Sequence, residues 1–172
     1  GAPANYSGQA EAGVYNLLID FNPSDGVDNY QTFTGYCVDP AFSEPNPELY
    51  DIVAIPTATG YQAAAWIFAN YGTPSVAADA ANVQSAIWIV VDGITVNSPT
   101  SNASTIAANA LAAVSGGWTA PEWLSLAVHP AASVSTNDDF QDYIIRTPEP
   151  ASILLLGLGL FGVGILGKRR IS

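Results

Sequence analysis

The chain has 172 residues, enough for one medium domain with a real hydrophobic core. Its 15 acidic residues face four basic ones, and all four basic residues lie at or after Arg146. Residues 1–150 therefore set one positive charge against 15 negative ones, a balance of −14, with no Lys at all. Nucleic-acid binding is excluded, because phosphates need a basic footprint. The single Cys cannot form an internal disulfide, and one Cys with one His cannot fill a structural zinc site. No metal and no cofactor is expected.

The opening "GAPANYSGQA" reads as a mature end left by signal-peptide cleavage. Two runs rich in aromatic and β-branched residues follow, "GVYNLLIDF" (13–21) and "YQTFTGYCVD" (30–39). They flank the turn segment "NPSDGVDN", so they predict a hairpin. "LYDIVAIP" (49–56) predicts a third strand, stopped by Pro56. The middle then changes character. "TGYQAAAWIFANYG" (59–72) is Ala-rich, with Thr59 as a cap and Gly72 as its close. "TPSVAADAANVQSAIWIVVDG" (73–93) opens on a Thr-Pro pair suited to a helix start and ends at Asp92-Gly93. "SNASTIAANALAAVSGG" (101–117) predicts a third helix. "EWLSLAVHP" (122–130) and "DFQDYIIR" (139–146) return to strand. The fold class is α+β: a β-rich sandwich or barrel-like domain with an inserted three-helix block.

The tail, "TPEPASILLLGLGLFGVGILGKRRIS", is a Pro-rich break, an apolar run and a basic end. The run Ala151–Gly167 has 17 residues, ~25 Å as a helix, at the short end of a membrane span. Lys168, Arg169 and Arg170 place the C-terminus in the cytoplasm and residues 1–147 outside. The expected organisation is an exported domain (1–147), a Pro-Glu-Pro linker (148–150), a transmembrane helix (151–167) and a basic cytoplasmic tail (168–172). Membrane lipid is the first expected partner.

Cys37 lies near the end of the second predicted strand, in "GYCVDP". The plain reading is a small buried hydrophobe. A cysteine hydrolase with His129 as base needs an orienting group and an oxyanion hole, and no local signature supports it. The acidic loop "SDGVDN" lacks the spaced oxygen ligands of a known calcium loop and reads as a solvated turn.

Two resemblances add to this. Pro148, Glu149 and Pro150, the apolar run and the basic stop resemble the PEP-CTERM sorting signal of exported proteins in Gram-negative bacteria. That likeness implies export and handling by an exosortase near the triplet. Separately, Tyr36, Cys37, Val38 and Asp39, together with Val83, Gln84, Ala86, Ile87 and Trp88, resemble the two motifs of bacterial thioester domains of surface adhesins. This likeness covers roughly residues 13–145. It implies that Cys37 and Gln84 form a side-chain thioester, the Cys on a strand and the Gln on an inserted helix. It departs from the family in having no downstream stalk.

The helix pattern suits that chemistry. Val83, Ile87 and Val90/Val91 recur at helical spacing and should face the core. Gln84 borders that stripe, and Trp88, four residues on, is placed to shield the bond from water. The bland alternative makes Gln84 an ordinary polar residue and Trp88 plain core. The leading function is a membrane-tethered exported adhesion protein that captures an amine-bearing surface partner by one-shot acyl transfer. It is not a turnover enzyme. A Lys-free outer domain would not cross-link to itself, although general acidity accounts for the composition equally well. The alternative function is an accessory subunit of a larger membrane-protein complex, held by its tail helix with the outer domain as a cap.

Overall fold

The computed structural model describes residues 13–20, 30–38, 50–96, 101–128 and 142–147. Five strands and three helices follow in the order β1 (Tyr15–Asp20), β2 (Tyr30–Cys37), β3 (Asp51–Ala54), α1 (Thr59–Tyr71), α2 (Ala77–Asp92), α3 (Ala103–Ser115), β4 (Leu124–Val128) and β5 (Tyr143–Arg146). The strands make one antiparallel sheet in the order β1-β2-β5-β4-β3. This corrects the sandwich or barrel-like expectation. Two antiparallel pairs, β1–β2 and β3–β4, would be free to form separate sheets. β5 inserts between β2 and β4 and joins them into one. The second layer is helical.

Strand alternation sorts the side chains. Tyr36, Val38, Leu124, Leu126 and Ile144 share a core with the three helices. Ile19, Phe33, Cys37, Ala127, Tyr143 and Ile145 form a second apolar cluster on the opposite face. Helix α3 buries Ala103, Ile106, Ala107 and Ala110, the i, i+3, i+4, i+7 stripe of an amphipathic helix. Along α2, Val83 and Ile87 are buried and Val90 and Val91 pack partly against the same core, as their spacing predicts. Ala63, Ala64 and Ala65 let α1 sit close to its neighbours. Where α1 meets α2, a Cβ on Gly60 would lie 2.6 Å from the Val90 carbonyl oxygen.

The helix starts differ from expectation. Thr59 is the first helical residue; Ala58 holds the cap position in extended geometry, with no side-chain cap bond. Thr73-Pro74 does not open α2. Val76 holds the cap position in extended geometry, and the helix begins at Ala77. The helix ends agree: Gly72 and Gly93 both take positive φ, 58° and 70°, and their N–H groups cap α1 and α2. Among the described residues no helix is long and apolar enough to cross a membrane. The apolar run 151–167, the linker 148–150, the loop 24–29 and His129 lie outside the described residues.

Candidate functional site

Cys37 is the last residue of β2, and its main chain points sideways in the sheet. The Val38 N–H donates to the Asp142 carbonyl on the β5 side, at 2.8 Å. Neighbouring residues in a strand alternate direction, so Cys37 turns its N–H and C=O toward β1. Tyr15 pairs with Gly35, which would put residue 13 opposite Cys37. Strand β1 begins only at Tyr15. The side chain of Gln84 takes that place. The Cys37 N–H donates to Gln84 Oε1 at 3.1 Å, and Gln84 Nε2 donates to the Cys37 carbonyl at 2.5 Å. A carboxamide carries one donor face and one acceptor, like a peptide group, so it extends the ladder by one rung.

Both residues are fully buried, at 0% exposure. Two elements 47 residues apart are thereby locked together in a site closed to water. The bonds run from the Gln84 side chain to the Cys37 main chain. The Cys37 side chain belongs to the apolar cluster on the face away from the helices. The sulfur is two bonds from the Cα whose N–H and C=O hold the carboxamide, so rotation about χ1 sets its distance from the Gln84 amide carbon.

The Cys37 N–H is aimed at Oε1, where negative charge would develop if the carbonyl were attacked. This is the position of an oxyanion-hole donor. Trp88 is buried one turn along α2, and its Nε1 has no hydrogen-bond partner among the described residues. Tyr36 sits on the helix side, edge-on to Phe68 with ring centroids 5.5 Å apart. Its hydroxyl also lacks a partner among the described residues, and burial pushes its pKa up to about 12. It stays a neutral phenol at physiological pH. Among the described residues no three metal-ligating side chains cluster.

Several features gave little sequence signal. Gln62 repeats the device of Gln84: its Nε2 donates to the Pro56 carbonyl at 2.8 Å and its Oε1 accepts from the Ala120 N–H at 2.7 Å. The only hint was a Gln inside an Ala-rich apolar helix. Gly35 packs so tightly that a Cβ would meet the Ile144 oxygen at 2.4 Å. Arg146, the only cation before residue 168, lies over two rings, 5.0 Å from the Trp123 centroid and 5.5 Å from that of Phe68.

Comparison with known proteins defines the end of the chain. Residues 146–170 match the PEP-CTERM protein-sorting motif, so the chain carries the C-terminal signal of an exported, exosortase-sorted protein. The match begins at Arg146, the last residue of β5. The chain matches no curated protein and no solved structure.

Proposed function

We propose that this exported protein attaches covalently to a surface through a thioester between Cys37 and Gln84. The observation that carries the reading is the capture of the Gln84 carboxamide by the Cys37 main chain in a fully buried site. The main-chain bonds hold the Gln84 carboxamide at residue 37, and a χ1 rotation of Cys37 would have to bring the sulfur to the amide carbon, where proximity would favour the reaction. The Cys37 sulfur attacks the Gln84 amide carbon, and the Cys37 N–H steadies the charge on Oε1. The carbon–nitrogen bond breaks. Nε2 leaves as ammonia, taking the thiol proton, so the step needs no cofactor and no external reagent. Departure of Nε2 also removes the donor to the Cys37 carbonyl. Trp88, one turn along the same helix, helps to keep water from the new bond.

A primary amine on a partner surface then attacks the thioester. An amide forms at Gln84, and Cys37 regains its thiol. Each chain reacts once. The membrane reading completes the proposal: the run 151–167 spans the inner membrane, the outer domain faces the periplasm or the exterior, and residues 168–172 stay in the cytoplasm.

Intact-mass measurement on natively purified protein tests this. The expected mass is one ammonia below that of the unmodified chain. Methylamine should add at Gln84 and expose one titratable thiol, and Cys37→Ala should abolish both changes. A full-mass chain that ignores methylamine would end the thioester reading. If that chain also co-purified in detergent with a fixed set of membrane proteins, the accessory-subunit function would replace it.

A further inference from the structure

The tether between the folded domain and the apolar run is very short. Strand β5 ends at Arg146, and the Thr147 N–H is still bound to the Trp123 carbonyl at 3.1 Å. Only Pro148, Glu149 and Pro150 separate Thr147 from Ala151. Four Cα-to-Cα steps reach at most ~14 Å even when fully extended. The headgroup layer itself occupies about 5–8 Å on each side of a bilayer. With the apolar run in a bilayer, the face of the domain around Thr147 would be held against that layer.

That face differs from the rest of the domain. Arg146 is exposed and stacks on Trp123, and its guanidinium would lie 3.8 Å from a Cβ on Gly72. Tyr71, next in line, is 39% exposed and packs against Trp66 with ring centroids 6.2 Å apart. Trp66 and Trp123 are partly exposed. The patch thus joins two Trp, one Tyr and the domain's only cation in one contiguous run. Rings with an apolar body and a polar edge are the side chains that settle at a membrane–water boundary. Glu122, exposed beside Trp123, argues against a strongly anionic surface.

We propose that Trp66, Tyr71, Trp123 and Arg146 form a membrane-docking face that lies in the headgroup layer of a largely zwitterionic bilayer while the sorting segment is attached. This rests on the membrane-tethered reading above. It fixes the orientation of the domain as well as its location, and cleavage of the sorting segment would free the face.

The test uses the full chain in phosphatidylcholine vesicles that carry a headgroup nitroxide, with tryptophan fluorescence as the readout. A second chain has a flexible Gly/Ser insert of about ten residues between Thr147 and Pro148. The expected result is strong quenching of the native chain, with most of it lost on insertion. It should also be lost in Trp66→Phe/Trp123→Phe, where the remaining signal comes from Trp88 and Trp118. Equal quenching with and without the insert would overturn the docking face. Weak quenching of a native chain that floats with the vesicles would also overturn it, and leave the patch to a protein of the membrane. A chain that fails to float would remove the tether, and with it both the docking face and the membrane reading.

Discussion

The carboxamide of Gln84 supplies both hydrogen bonds that the main chain of Cys37 would otherwise take from an extended β1. The two positions therefore respond differently to substitution. Gln84→Leu leaves a buried N–H and a buried C=O unpaired, at about 1–3 kcal/mol each. Cys37→Ala keeps both partners and loses only the sulfur, about 1 kcal/mol. Urea unfolding of methylamine-treated wild type, Q84L and C37A should rank them in that way, with Q84L the least stable. Untreated wild type should exceed the treated protein, because closing a 47-residue loop is worth up to about 4 kcal/mol. A C37A chain weaker than Q84L would contradict the ladder role of Gln84.

Asp92 ends α2 with a buried carboxyl oxygen that has no hydrogen-bond partner among the described residues. Burial pushes its pKa from 3.8 up to about 6. The folded state then holds this proton more tightly than the unfolded state does. Stability should fall as pH rises from about 4 through about 6 and level off above that. Asp92→Asn should remove this slope. It should equal wild type near pH 4 and exceed it near pH 7 by about 1–3 kcal/mol, the lower end allowing for solvent at a half-buried group. Thermal melts across that range check it; an N-variant that is less stable at neutral pH would refute the assignment.

Gly35 has no room for a side chain where β2 meets β5. The position where its Cβ would sit lies 2.4 Å from the Ile144 oxygen and 2.9 Å from the Ile145 side chain. Backbone cannot yield as a flexible side chain can, so β2 and β5 would have to separate. Gly35→Ala should cost on the order of 3 kcal/mol, in the range reserved for core overpacking. Because Cys37 is two residues on, the same change should slow or stop loss of ammonia. A stable, normally processed G35A would show that the strands have slack there.

The sorting segment gives a prediction about solubility and sidedness. A chain ending at Thr147 lacks the apolar run and should be soluble without detergent. The full chain should float with membranes and resist carbonate extraction. Protease added from the periplasmic side should digest residues 1–147 and spare a tag placed after Ser172. Digestion of that tag would reverse the proposed orientation.

Local chemistry made much of this fold legible, and long-range pairing did not. All eight elements follow from apolar periodicity and turn residues, and the helix ends were marked by Gly72 and Gly93, where positive φ favours glycine. The starts were misplaced because Thr59 and Thr73-Pro74 look like caps, whereas Ala58 and Val76 hold those positions by backbone geometry alone. The single sheet depends on β5 finding β2 and β4, a choice that no local pattern records. At the site, the pairing of positions 37 and 84 was visible as two short motifs. That the carboxamide would grip main chain was not visible, because it depends on where β1 begins. Gln62 was overlooked for the same reason: its partners, Pro56 and Ala120, are main-chain groups with no side-chain signature.

Strand β5 is the last element of the domain in sequence, yet it lies in the middle of the sheet. Without residues 143–146, β2 and β4 have no common neighbour, and the two halves of the sheet are not joined. The sorting motif starts at the final residue of that strand. Completion of the sheet thus waits for the segment at which the sorting motif begins. In a chain that emerges N-terminus first, this strand order withholds the keystone of the sheet until last.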